Sequence, residues 1–273
     1  MSLKKILGRC KKPLALGFMI LAGCVSLASA FQVTLAPSRE EIVLKPGASR
    51  RAKFYVTGMG NSPLQVKIKV MDLDQTPAGI AVPVTPGSTA WSAASWIKPI
   101  REKFTSFPGR PSAVGYDVEV PADAKGGGYA FIVVQCMPLS ESRKKGNLAV
   151  VNSADLSYLV FVSVKGTEEY KARIIDIKPT SDQVGQPFKI LCTVENQGNV
   201  MIRPQGKLDL VSGEEKHSYL ANSRNMAIMP GKSRVFVIDD REGVKEAGDY
   251  KFKLDLNYGG KNSLEATGDL PFQ

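Results

Sequence analysis

The sequence predicts an all-β chain: two β-sandwiches behind an N-terminal export signal. Three observations predict it. Short runs alternate apolar and polar residues with period two, Gly-, Pro- and Asn-containing turns separate those runs, and no stretch sustains a 3.6-residue period.

The N-terminus lies outside that pattern. Lys4, Lys5, Arg9, Lys11 and Lys12 form a basic head with no acid among them. An apolar stretch runs from Leu14 to Ala22, and small residues follow, ending in Ala28-Ser29-Ala30. A basic head, a short apolar stretch and an A-x-A site make a secretory signal peptide. A membrane span needs about 20 apolar residues, and this run is shorter and broken by Gly17 and Gly23. Within the same segment, Leu21-Ala22-Gly23-Cys24 resembles the lipobox of bacterial lipoproteins, in which the cysteine is acylated and becomes the new N-terminus. Cutting after Ala30 releases a soluble periplasmic or otherwise extracytoplasmic protein, the preferred reading. Cutting before Cys24 leaves a lipid-anchored envelope protein on the short tether Val25 to Ala30.

Export removes five positive charges and no negative ones, so the formal +10 falls to about +5. That excess is too small for a nucleic-acid footprint. Basic residues are scattered except for Arg143-Lys144-Lys145, read as a solvated loop tip, with contact to anionic lipid or wall polymer as the alternative.

The mature region divides into 31–166 and 171–273, with the polar stretch Lys165 to Tyr170 between them. In the first part, Ile42 to Leu44 stops at Lys45-Pro46-Gly47, and Ala52 to Thr57 alternates. Leu64, Val66, Ile68 and Val70 point one way from the next run. Strands follow at 113–120, 129–136 and 156–165. Gly126-Gly127-Gly128 fits no nucleotide-binding pattern and reads as a turn leading into a strand. The second part repeats the style at 172–177, 188–195, 206–211, 233–238 and 250–257. Regularly spaced strands with such turns indicate immunoglobulin-like β-sandwich domains.

Catalytic and metal chemistry have little to work with. His217 is the one histidine, and there is no CxxC, no G-x-S-x-G and no phosphate-cradling loop. Asp72-Leu73-Asp74 and Asp239-Asp240-Arg241-Glu242 lack calcium-loop spacing and read as solvated turns. Cys136 and Cys192 sit in separate apolar runs, and Cys192 shares a face with Phe188, Ile190 and Val194, so Cys192 is expected as a small core residue and a disulfide between the two is not expected. No enzyme, cofactor or metal is expected.

The first part resembles the N-terminal domain of the PapD-like periplasmic pilus chaperones. The residues that carry the resemblance are Val33 to Arg39, Leu44-Lys45-Pro46-Gly47, Leu64 to Val70 with Met71-Asp72, Ser95 to Pro99, and Leu159-Val160-Phe161-Val162. The resemblance implies β-strand addition, in which a chaperone strand pairs with an exported subunit. It also implies two cations that hold the subunit's terminal carboxylate. Arg39 falls at the first position; Ser157 or Tyr158 falls at the second, and neither is cationic. The second part resembles the adhesion-type immunoglobulin-like modules of bacterial surface proteins, on Val184 to Phe188, Glu195 to Asn199, Met229 to Ser233 and Ala247 to Tyr250.

Candidate binding residues are Arg39 as anion anchor, and Leu148, Val150, Leu156, Tyr158, Val160 and Val162 as the pairing strand, alternate members of which can be core. Trp91 is a candidate stacking or anchoring side chain, whereas Trp96 is expected in the core. The expected function is an exported protein-binding module, chaperone-like in pilus or surface-protein assembly. Its partners are other exported proteins; nucleic acid is not among them, and a membrane only through the lipid anchor. The alternative is a structural or adhesive surface protein whose sandwiches are spacers.

Overall fold

The computed structural model describes residues 32–139, 153–222, 227–259 and 261–273. The export segment with Cys24, the Arg143 to Lys145 run, Leu148 and Val150 lie outside those residues.

The first sandwich is built from β1 (Gln32–Ala36), β2 (Arg39–Leu44), β3 (Ser49–Met59), β4 (Leu64–Gln75), β5 (Ala81–Val84), β6 (Ile97–Pro99), β7 (Lys103–Ser106), β8 (Ser112–Glu119), β9 (Gly127–Pro138) and β10 (Ala154–Val164). One sheet runs β1-β3-β8-β6. The other runs β2-β10-β9-β4-β5, with β7 also on β4. The opening segment serves both sheets: β1 pairs antiparallel with β3, and three residues on, β2 pairs parallel with β10.

The second sandwich comprises β11 (Ala172–Pro179), β12 (Phe188–Asn196), β13 (Gln205–Ser212), β14 (Glu215–Asn222), β15 (Ser233–Asp240), β16 (Gly248–Gly259) and β17 (Asn262–Phe272). Its sheets are β11-β12-β15 and β14-β13-β16-β17.

Period-two patterning becomes core where it was expected. Leu64, Val66 and Ile68 of β4 meet Phe54 and Val56 of β3, and Phe188, Ile190, Cys192 and Val194 of β12 line the second core. Cys136 and Cys192 are both buried and free. Burial pushes the Cys136 thiol up to about 11 and the Cys192 thiol up to about 12, so neither is a thiolate at neutral pH.

A third apolar cluster joins the sandwiches. Leu73, Tyr129, Phe131, Val133 and Phe161 rise from the outer face of the β4-β9-β10 sheet to meet Met229, and Trp91, Leu159 and Met201 pack around them. This is why β9 is buried residue after residue from Gly127 to Val134. A strand covered on both faces reads as a continuous apolar run rather than an alternating one. Gly126 makes this close approach possible, and Gly128 makes room for Trp96 within the first sandwich. Gly126 has φ 71°, and a Cβ there would lie 2.4 Å from the Asn199 carbonyl oxygen. One on Gly128 would lie 2.4 Å from the Trp96 ring.

Candidate strand-pairing edge and cation cluster

On β10 the side chains of Leu156, Tyr158, Val160, Val162 and Val164 point into the sandwich, while Asp155, Ser157, Leu159 and Phe161 face outward. Tyr158, Val160 and Val162 are fully buried and Leu156 packs half-buried against the same core. These four residues of the expected pairing strand are therefore spent on the protein's own interior. What β10 presents outward at its edge is backbone.

That edge is geometrically defined. β9 pairs with β10 along its length, from Ala154 to Ser163, whereas β2 covers only Leu159 to Val164. The Leu159 N–H donates to the Ser38 carbonyl at 3.1 Å and the Lys165 N–H to the Leu44 carbonyl at 2.7 Å. N–H and C=O groups alternate sides along a strand. Asp155 and Ser157 thus aim theirs to the same side as Leu159, where among the described residues no strand meets them. Such an edge is a template for a further strand.

A polar latch fixes where the edge begins. Glu40 of β2 accepts hydrogen bonds from the Tyr116 hydroxyl at 3.0 Å, the Tyr158 hydroxyl at 3.1 Å and Arg50 at 2.9 Å. Phe54 stacks on the Tyr158 ring at 4.2 Å. Burial first, with the Glu40 charge, pushes Tyr158 up to about 12 against the opposing hydrogen bond from Tyr116. Tyr116 is raised further, by burial and by Tyr158. Both phenols stay protonated as donors, so β2 is held to β10 in one register.

Arg39 opens β2 directly opposite Leu159. It is exposed, 3.8 Å from the Glu41 carboxylate. A second cation reaches the same carboxylate from the other sandwich. Arg203 lies 2.7 Å from Glu41, with its guanidinium over the Phe161 ring at 5.8 Å. Two guanidiniums thus share one carboxylate, leaving an excess positive charge beside β10. Arg203 also lines a shallow cavity of about 350 Å³ with Tyr170, Met201, Gln205, Asn257 and Tyr258. Sequence reasoning missed Arg203: a lone arginine between two turns carries no pattern, and only the third apolar cluster brings it to β2.

Trp91 is placed differently from a stacking platform. Its indole N–H donates to the Leu73 carbonyl at 2.7 Å, its ring packs in the third cluster, and Lys232 sits 5.6 Å above it. Lys232 in turn pairs with Asp74 at 3.0 Å. Polar contacts tie the sandwiches around this centre. The Tyr129 hydroxyl accepts the Met201 N–H at 2.5 Å, Gln75 donates to the Ala227 carbonyl at 2.8 Å, and the Gly127 N–H donates to the Asn199 carbonyl at 2.9 Å. Trp96 covers Gly128 and packs on the first core. The two acidic stretches are not the solvated turns the sequence suggested: Asp72 to Asp74 lie within β4, Asp239 and Asp240 end β15, and Asp72 and Asp240 are buried because local donors satisfy them. Asp72 is buried and accepts from Ser88, Thr89 and Ser92, stapling the loop that carries Trp91, and Asp240 accepts from the Glu242 and Gly243 N–H groups and from Tyr219.

No protein-family model matches the sequence, and no curated protein matches it. In structure the chain is similar to solved fimbrial chaperones. One is from a complex of Salmonella enterica SafA pilin with the SafB chaperone, at 13% identity over 87% of this chain and 97% of that one, TM-score 0.44. Another is the E. coli chaperone DraB, at 17% identity over 86% and 98%, TM-score 0.41. A third, from a chaperone–tip adhesin complex of CFA/I fimbriae, matches at 12% identity over 86% and 98%, TM-score 0.46.

Proposed function

We propose that this chain is an exported, chaperone-like binding module that pairs the open edge of β10 with an extended segment of another exported protein. The observation that carries this reading is the backbone at Asp155 and Ser157, which among the described residues no strand pairs on the side away from β9, next to the register that Glu40 fixes between β2 and β10. Backbone hydrogen bonds supply affinity in this mode. Arg39 and Arg203 flank the edge, and their shared excess charge suits a carboxylate on the incoming chain. The Ala154 to Val164 strand supplies the surface and residues 171–273 set its orientation through the third cluster. The proposed location is extracytoplasmic, soluble after a cut at Ala30, with acylation at Cys24 as the alternative. Mass spectrometry of the mature N-terminus decides between Phe31 and a diacylated Cys24.

The test is affinity capture from the envelope fraction. The intact protein brings down an exported chain, and Arg39→Ala and Arg203→Ala each recover less of it. A protein that never carries a partner contradicts the proposal. A spacer role is the second reading, favoured by one observation: an apolar cluster packs the two sandwiches together, as a surface stalk also needs.

A further inference from the structure

One pole of the first sandwich carries an arrangement that neither core nor pairing edge uses. The Gly109 N–H donates to the Gly58 carbonyl and the Leu139 N–H to the Pro63 carbonyl, each at 2.9 Å. Leu64 pairs with both Pro138 and Ser106, and Gln32 pairs with Met59. The 60–63 turn at the end of β3, the 107–111 turn, the end of β9 and the start of β1 therefore meet at one place. The contacts to the second sandwich lie at the other ends of the same strands, at Gln75 and Gly127.

Four large apolar side chains stand out here: Phe107 is 56% exposed, Met59 51%, Leu139 43% and Met137 40%. Single exposed apolar residues are ordinary, but a cluster marks a contact surface. Around it are cations. Arg110 sits in the 107–111 turn, and Lys67 lies directly opposite Lys103, with Lys69 two residues on. All four are exposed, and among the described residues none has an ion-pair partner. Directly opposed like charges destabilise a sheet, so Lys67 and Lys103 carry a cost that an external anion relieves. The acids nearby are Asp155, bound by Gln135, and Glu102.

We propose that this pole rests on a bilayer surface with anionic headgroups, its apolar tips at the acyl boundary and its cations among the phosphates. Apolar side chains ringed by Lys and Arg are the signature of interfacial binding. Chain geometry points the same way. Gln32 is the first described residue, and eight peptide links separate it from Cys24, at most about 28 Å. An acyl group on Cys24 would thus be tied by a short length of chain to the strand that begins at this pole.

The test uses the mature protein from a Cys24→Ser chain, its N-terminus verified by mass, so that no acyl anchor contributes. Flotation with phosphatidylglycerol vesicles is compared with phosphatidylcholine vesicles. The protein floats with the former and at least tenfold less with the latter, and the difference shrinks in high salt. Lys67→Glu, Lys103→Glu and Arg110→Glu each weaken binding roughly fivefold. Phe107→Ser with Leu139→Ser abolishes it while leaving the thermal midpoint in place. Equal binding to both vesicle types, no binding, or indifference to these substitutions overturns the proposal. So does capture of an exported protein that depends on Phe107 and Leu139 while vesicles are ignored, which makes the pole a protein interface. Ser157→Pro, which blocks the β10 edge but replaces none of the apolar or cationic side chains of this pole, leaves flotation unchanged, so this result is separable from the strand-pairing reading.

Discussion

Arg203 donates to Glu41 at 2.7 Å, joining the second sandwich to the strand that borders the open edge of β10. Arg39 lies 3.8 Å from the same Glu41 carboxylate. The three side chains form a charge cluster in which one acid restrains two bases. Neutralising the acid frees both. Glu41→Gln is expected to raise partner affinity roughly three- to tenfold and steepen its salt dependence, and Arg203→Ala to lower it by a similar factor. Binding isotherms at two ionic strengths read both effects.

Trp91 belongs to the join between sandwiches. Trp91→Ala should cost about 2–4 kcal/mol, since it removes a large side chain from an apolar cluster together with its bond to Leu73. Urea unfolding measures this as a lower midpoint at unchanged slope. A Trp91→Ala protein as stable as its parent would return Trp91 to the surface.

Tyr129 supplies the acceptor for the Met201 N–H at 2.5 Å, and its ring meets Phe161 edge-on. Burial pushes the phenol up to about 12, so it stays neutral. Tyr129→Phe keeps the ring and strands the half-buried Met201 N–H, at a cost of about 1–2 kcal/mol. Faster hydrogen exchange at Met201, with the first core still protected, identifies the loss as local to the join.

Glu215 gives the second sandwich an acid-sensitive clamp. It holds Tyr250, His217 at 2.6 Å and the Lys245 N–H at 3.0 Å. Burial alone would push its carboxyl up, but the bonds from Tyr250 and His217 outweigh that and hold it at about 2. A folded-state value below the unfolded one stabilises above the ordinary carboxylate range. That contribution fades as pH falls from about 4.5 to about 2. Glu215→Gln should therefore melt about 2–4 °C lower than the parent at pH 6, with the gap closing toward pH 2. A gap independent of pH would place the clamp's value elsewhere.

Strand existence was legible in the sequence wherever one face is buried. The alternation of 64–70 and 188–194 became β4 and β12, with the expected residues in the cores. Strands without that contrast were not legible. β14 reads EKHSYLAN and β17 reads NSLEATGDLPF, and in both the apolar signal is weak because polar residues hold the exposed positions and little else fills the others. For β10, period two showed that Leu156, Tyr158, Val160 and Val162 share a face but not which face meets the core. Pairing order was equally hidden. The parallel union of β2 with β10, which stops short of Asp155 and Ser157, follows from where the opening segment crosses between sheets, a long-range choice with no local mark. Trp91 and Arg203 gained their places from the third cluster, which forms only when both sandwiches are present.

Ser157 offers the most direct test of the strand-pairing account. Its N–H points away from β9, so a proline there removes no ladder bond of the fold and is tolerated as at an edge strand. The same proline cannot donate to an incoming strand and blocks its approach. Capture of exported partners from the envelope fraction by Ser157→Pro, compared with the parent at matched thermal midpoint, is the measurement. Recovery at least tenfold lower with the fold intact is the expected result; undiminished recovery by a folded Ser157→Pro protein contradicts edge pairing at β10.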